Sequence, residues 1–489
     1  MSPTSPRTSK ASKTPRCLHL FGRDLRLDDN AALAEAARFG EVVPAHLIEA
    51  GVVERAERNP RRAAYYCGAV SSLTSDLAAR GARLIVRTDA SPAAVVTLAE
   101  EAGASAVTWA NAYDAATLRR QHARRSALEA RGIRVAAAHD APAVAPEETA
   151  GAHSDRARGY RALAPFVAAW TLQRRSTIDA RIKFGDAPLT SDPVPALATP
   201  ALSDPQAEVP SERAALAALD AYLEGPALQY ASARDVPGGT STARLSAALS
   251  FGVIGARTVL ARIDERARDP FLLAEERLAL VQFARALAQR DFFLQLAWFY
   301  EDAPDRALQA RMDDFPLATE HAALECWRLG RTGYPLVDAG VRQLRATGWM
   351  HPRARLVAAS FLCFDLAMDW RVGRDAWDEY LVEDDPALAN GNWQWVAGVG
   401  ADLAQFPRIY NPRKQARAYD PLGTYVRRYV SELSAVPALD FAHAAAGARQ
   451  QLRFDLFNDR GYASPVVEHE AAARAYLARY ANFTRSAMR

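Results

Sequence analysis

Glu383-Asp384-Asp385-Pro386-Ala387-Leu388-Ala389-Asn390-Gly391-Asn392-Trp393-Gln394-Trp395 sets an acidic cluster, several small residues and two tryptophans within thirteen positions. Small residues let backbone approach a flat ligand. Seven of the nine tryptophans lie between Trp298 and Trp395. One reading is packing, since indoles supply large buried area in cores and interfaces. The other is a redox cofactor served by oxidisable side chains. Composition does not choose between them.

Around this stretch the bulk numbers are ordinary. A chain of 489 residues with 49% apolar and 24% charged side chains suits a soluble globular protein of two domains, or of one large domain with a cap. Sixty basic against 57 acidic side chains leave a net charge of +3, so any nucleic-acid reading has to rest on local clusters. Cys17, Cys67, Cys326 and Cys363 are too dispersed for a zinc or iron–sulfur spacing, and no metal is expected. They read as reduced thiols of a cytoplasmic protein. No run of eighteen apolar residues occurs, so no membrane partner is expected. Residues 1–15, rich in Ser, Thr, Pro, Lys and Arg, lack the apolar stretch of a secretory leader and read as a disordered tail.

From residue 16 to about 140, β-rich runs at 18–21, 42–48, 83–88, 106–110 and 135–138 alternate with helical patterns at 31–38, 61–80, 92–102 and 115–131. Alternation of this kind predicts an α/β domain with a doubly wound parallel sheet. No G-x-G-x-x-G follows a strand, so the usual dinucleotide fingerprint is absent. Residues 141–225 are proline-rich and weakly periodic, and read as an interdomain linker with a short helix near 163–170. Residues 226–489 read as a large all-helical domain.

The wording of several segments resembles the photolyase/cryptochrome flavoproteins over nearly the whole chain. These are Leu18-His19-Leu20-Phe21-Gly22-Arg23-Asp24-Leu25-Arg26-Leu27-Asp28-Asp29-Asn30, then Gly330-Arg331-Thr332-Gly333-Tyr334-Pro335. Thr347-Gly348-Trp349-Met350-His351-Pro352-Arg353-Ala354-Arg355, the opening stretch, and Pro407-Arg408-Ile409-Tyr410-Asn411-Pro412 follow in order. The resemblance implies that the helical domain binds FAD. It implies a phosphate seat at Thr242, Ala243, Arg244, Leu245 and Ser246, matching the family's T-S-x-L-S with Ala in place of one Ser, and a cofactor contact at Tyr230. Arg290, of Arg290-Asp291-Phe292-Phe293, falls near the flavin, and Arg355 with Glu383 and Asp385 beside ring and ribose. Folate or deazaflavin is the implied class of a second, antenna chromophore between the domains; Trp109, Asn111 and Tyr113 do not identify it.

The same resemblance assigns electron transfer to Trp393 (proximal) and Trp370 (middle), and aligns the usual distal indole with Leu317, leaving Trp298, Trp327, Trp349 or a surface tyrosine as other stops. Where repair enzymes have Asn facing the reactive flavin nitrogen, this chain has Ala389, with Asn390 beside it. For UV-damaged DNA, single- or double-stranded, the resemblance implies phosphate contacts from Arg234, Arg353 and Arg408, and a lesion floor of Gln289 and Trp395. That floor departs from pattern: Ala286-Leu287-Ala288-Gln289-Arg290 replaces E-x-x-W-R, and Leu356 replaces a methionine. Two functions are therefore carried forward for an expected monomer. One is a light-driven lyase that splits cyclobutane pyrimidine dimers by electron transfer from excited reduced FAD. The other is a cryptochrome-like blue-light receptor or divergent flavoprotein without repair.

Overall fold

The computed structural model describes residues 14–150, 159–173, 176–185, 187–194, 210–300, 306–401, 407–438 and 462–486; most of the expected tail (residues 1–13) lies outside them. Five strands, β1 (Arg16–Phe21), β2 (Glu41–Leu47), β3 (Ile85–Arg87), β4 (Ala104–Ala110) and β5 (Arg134–Ala138), pair in parallel in the order β3-β2-β1-β4-β5. β1 is central, and its Cys17 to Phe21 are all buried, as a parallel strand covered on both faces requires.

Helices α1 (Ala31–Ala37), α2 (Ala50–Arg58), α3 (Pro60–Ala79), α4 (Pro92–Glu101) and α5 (Ala115–Glu129) flank the sheet. Their starts are written locally. Asn30, Asn59, Ser91 and Asp114 each cap a helix by accepting a backbone N–H, and Pro60 and Pro92 occupy first-turn positions where no donor is needed.

The connecting stretch holds α6 (Pro146–Ala150), α7 (Leu163–Thr171) and α8 (Glu212–Glu224). α8 stands inside residues expected to be connector. Ser211 caps it, and Ala215, Leu219, Tyr222 and Leu223 bury one face at helical spacing. The prolines just upstream obscure that periodicity in the sequence.

Thereafter come α9 (Tyr230–Ala233), α10 (Ser246–Ser250), α11 (Ala256–Ala267), the long α12 (Ala274–Phe299), α13 (Leu324–Leu329) and α14 (Pro335–Thr347). They are followed by α15 (Pro352–Ser360), α16 (Trp370–Asp378), α17 (Pro386–Ala397), α18 (Pro412–Tyr419), α19 (Thr424–Tyr429) and α20 (His469–Ser486). The architecture is an α/β region with a doubly wound parallel sheet followed by helices, the expected fold class.

One core cluster runs from the sheet side (Phe21, Leu25, Tyr65, Tyr66, Val70) through α8 and α10 to α12 (Leu219, Leu249, Phe251, Phe283, Phe292). A second belongs to α13–α20. The junction also carries buried charge. Asp140 Oδ1 accepts from Arg26 Nη2, Arg257 Nη2 and the Ala31 amide, each at 2.9 Å, while Arg257 Nε donates to Asp29 Oδ1 at 3.0 Å. Two guanidiniums and two carboxylates thus close a neutral network between sheet and helices.

Candidate cofactor and nucleic-acid site

The three successive acids before α17 face three ways. Glu383 pairs with Arg355 Nη1 at 2.5 Å and accepts from Ser246 Oγ at 3.3 Å. Asp384 turns toward the sheet region, where Arg23 Nη2 and Arg55 Nη2 reach it at 2.8 and 3.1 Å. Burial opposes its charge, yet Arg23, Arg62 and Arg55 outweigh that and hold its carboxyl down to about 2. Asp385 caps α17, accepting from the Leu388 amide at 3.2 Å, and its Oδ2 lies 4.0 Å from Arg290 Nη2. Burial raises its pKa despite Arg290. Consecutive residues entering a helix cannot share one direction, so the acidic run divides its labour.

Arg290, on α12, is held by the carbonyls of Ala141 (2.6 Å) and Leu249 (3.4 Å). Its neighbour Asp291 accepts from the Ala143 and Val144 amides and from Trp170 Nε1, pinning α12 to the connecting stretch. Tyr230 opens α9 and Arg234 caps its end, with the guanidinium 5.6 Å from the ring centre. Thr242, Ala243, Arg244 and Ser246 are half-buried and Leu245 is buried. Arg244 has φ +53°, a left-handed turn that carries its guanidinium to 4.4 Å from the Trp349 ring centre.

FAD asks for donors to a pyrophosphate, acceptors for ribose hydroxyls and cations near its ring system. The hydroxyls of Thr242 and Ser246, the guanidiniums of Arg244, Arg290 and Arg355, and the carboxylates of Glu383 and Asp385 supply that mixture from half-buried or buried positions. Their chemistry fits the group. Asn390 is buried, and its Oδ1 accepts from Arg374 Nη1 at 2.7 Å; Ala389 lies one helical turn before Trp393.

Trp393 leans on α16. A Cβ at Gly373 would fall 2.2 Å from its indole, so only glycine lets the ring sit flush there. The nearest indole to Trp393 is Trp377, with ring centres 4.6 Å apart, and Trp377 stacks on Trp327 at 5.8 Å with planes 13° apart. Trp370, on the same face of α16, instead lies under the guanidiniums of Arg371 and Arg374 at 4.8 and 5.3 Å. Leu317, at the usual distal position, is half-buried and packs against the second core cluster. Trp377 is the residue that the sequence reading passes over; its i+4 spacing from Gly373 and i+7 from Trp370 is the signal that would have found it.

Arg353 ties the basic rim together. It pairs with Asp235 at 2.9 Å, next to Arg234, reaches Gln415 at 3.3 Å and lies 4.2 Å from the Tyr419 ring centre. Arg408 is exposed on the segment before α18. Trp395 packs edge-on to Phe293 at 6.2 Å, one turn along α12 from the half-buried Gln289. His351 accepts the Arg353 amide at 3.1 Å and so caps the helix that presents Arg353 and Arg355. Burial holds its pKa down to about 4 from 6.5. With the folded value below the unfolded one, this stabilisation is complete above about pH 6.5 and drains away toward pH 4, by up to about 3 kcal/mol. Urea unfolding across that range should show His351→Asn, which still accepts a cap bond, losing less stability on acidification than the parent. Equal losses would rule His351 out as the source.

Two hollows open between sheet and helices. The larger, about 1200 Å³ counting the open solvent at its mouth, lies at the C-terminal ends of β1 and β4, where the strand order reverses. That topological switch is where doubly wound sheets leave a crevice. Phe21, Arg23, Trp109, Asn111, Tyr113 and Arg124 line its sheet side, and Arg290, Asp385 and Ala387 its helical side. The smaller, about 510 Å³, is walled by Tyr113, Asp114, Phe293, Asn390 and Gln394. Among the described residues no helix is long and apolar enough to cross a membrane, and no His/Cys/Asp/Glu group is placed to hold a metal ion.

Two family models match the chain: DNA photolyase at residues 17–184 and the FAD binding domain of DNA photolyase at residues 283–482. The deoxyribodipyrimidine photo-lyase of Halobacterium salinarum is 34% identical over 435 residues, covering 85% of this chain and 89% of that protein. Cryptochrome-1 of Arabidopsis thaliana is 32% identical over 490 residues, covering 94% of this chain and 69% of its own. Among solved structures, a bacterial class III photolyase from Agrobacterium tumefaciens matches with a TM-score of 0.85 at 28% identity, covering 98% of this chain and 100% of that one. With the fold, the α17 site and these relatives in agreement, the chain belongs to the photolyase/cryptochrome family.

Proposed function

We propose that this protein is a light-dependent deoxyribodipyrimidine photolyase, a carbon–carbon lyase that splits cyclobutane pyrimidine dimers in UV-damaged DNA. The observation that carries the reading is the gathering of Arg290, Arg355, Ser246, Glu383 and Asp385 about the first turn of α17, one face of which bears Trp393. In this reading Tyr230 and Thr242 to Ser246 hold the diphosphate and ribityl portion of FAD. Glu383 and Asp385 accept from its hydroxyls, and Arg290 and Arg355 place positive charge beside the ring. Bound and reduced, FAD supplies the light-driven single electron that opens the cyclobutane.

The chain's own groups bind and orient. Arg234, Arg353 and Arg408 clamp phosphates on either side of a flipped lesion, while Trp395 stacks and Gln289 hydrogen-bonds it. No nucleophile is needed. Charge enters through Trp393 and, by ring distance, Trp377 and Trp327 rather than Trp370. Ala389 offers no side-chain hydrogen bond toward the ring, and Asn390 is committed to Arg374. An antenna chromophore has room in the larger hollow, at the end of β1 and β4. The reading takes the protein as a monomer; its four free thiols suit a reducing compartment such as the cytoplasm.

The test is to illuminate the FAD-loaded, reduced protein with dimer-containing single-stranded and duplex DNA and to follow dimer loss. Light-dependent loss is expected. Reversible photoreduction without dimer loss would favour a blue-light receptor, a reading supported by the joint changes at Ala286, Gln289, Leu356 and Ala389. Protein that stays colourless after reconstitution with FAD would overturn both.

A further inference from the structure

Beside the larger hollow runs a file of hydrogen bonds that dimer repair does not call upon. Tyr113 follows β4 and is 8% exposed; its phenol oxygen lies 2.5 Å from His139 Nδ1, just beyond β5. His139 Nε2 lies 3.1 Å from Glu147 Oε2 on α6. The other carboxylate oxygen of Glu147 accepts from Trp298 Nε1 at 2.7 Å, and the Trp298 ring stands edge-on to His139 at 4.6 Å and 5.9 Å from Tyr113. Exposure rises along the file: Tyr113 buried, His139 half-buried, Glu147 open to solvent.

The protons can be placed by elimination. A carboxylate only accepts, so a neutral His139 carries its proton on Nε2 and offers the Nδ1 lone pair to the phenolic O–H. Burial lowers the pKa of His139 although Glu147 opposes it, which keeps the ring neutral and able to take a proton. Burial, with Asp291 and Glu147, keeps the phenol protonated; Arg290 works the other way. A buried phenol with a neutral base on its oxygen and a carboxylate behind the base is built to lose an electron and a proton together. A merely structural tie needs no such graded opening from buried phenol to solvent-exposed carboxylate. Tyr113 also lines the same hollow as Arg290 and Asp385, two of the residues assigned to the flavin.

We propose that Tyr113, His139 and Glu147 form a proton-coupled electron-donor relay, separate from the tryptophan cluster, whose electron acceptor is the photoexcited oxidised flavin. The inference rests on the flavin reading above. One electron leaves the Tyr113 ring for the flavin. The phenolic O–H bond breaks as Nδ1–H forms on His139, and the Nε2 proton passes to Glu147 at the surface. The product is a neutral tyrosyl radical, which an external thiol returns to tyrosine with one electron and one proton. Trp298 is a positioning residue that holds Glu147 and the imidazole in place.

The experiment uses FAD-loaded protein carrying Trp393→Phe, so that the tryptophan route is closed. After illumination and freezing, electron paramagnetic resonance should show a neutral tyrosyl signal that adding Tyr113→Phe removes. His139→Gln should slow its growth by about 10²-fold, the lower range for losing a positioned base. Glu147→Gln, at an exposed position that leaves the core untouched, should slow it as well, and growth in deuterated water should be slower. A tyrosyl signal that survives Tyr113→Phe, or tryptophan radicals alone, would overturn the relay and leave the flavin reading standing. Failure of the parent protein to bind FAD would overturn both.

Discussion

Replacing Asp140 with alanine should lower the unfolding free energy by about 3–5 kcal/mol, the range for removing one partner of a buried ion pair. Asp140 is 2% exposed and accepts from Arg26, Arg257 and the Ala31 amide. Removing it leaves two guanidiniums in a dry junction, answered by Asp29, by carbonyls and, for Arg26, by the nearby charge of Asp24. The loss should appear as a lower urea midpoint, and the sheet region and α11 should lose hydrogen-exchange protection together, because the network joins them. Asp140→Asn, which keeps the acceptor but drops the charge, should fall between parent and alanine. A midpoint for the alanine variant equal to that of the parent would mean that the junction is held by the shared apolar core alone.

The second large effect concerns Trp393. In FAD-loaded protein, Trp393→Phe should slow light-driven flavin reduction by an external thiol about 10²-fold, equivalent to about 2.7 kcal/mol on the barrier. Phenylalanine fills most of the space over Gly373 but is far harder to oxidise. The route beyond it is separable. Trp377→Phe should cost more than Trp370→Phe, because Trp377 is the indole 4.6 Å from Trp393 while Trp370 is engaged by Arg371 and Arg374. The opposite order would return the route to Trp370, and an unchanged rate in Trp393→Phe would remove the tryptophan cluster from charge supply.

Much of this was readable from residue order, and the parts that were not have physical causes. The strands and the first helices follow from local patterns: buried runs such as Cys17–Phe21, and caps such as Asn59 before Pro60. α8 was not anticipated because the prolines before it suppress the apparent period, whereas Leu219 and Leu223 find their partners only in the folded core. The acids at 383–385 were visible as a cluster. That Asp384 points away to Arg23 and Arg55 was not, since those partners lie more than three hundred residues earlier.

The ordering of chemistry-bearing residues along the chain therefore suffices for the family, the strand–helix alternation and the types of side chain that a flavin needs. These are consequences of local periodicity and of motifs whose members are neighbours in sequence. Which indole passes charge to Trp393, which carboxylate closes the junction, and that Tyr113 faces His139 and Glu147 depend on angstrom-scale approach between elements far apart in the chain. Packing of helices against the sheet decides such approaches, because hydrogen bonds and ring contacts act over a few ångströms while sequence separation carries no distance.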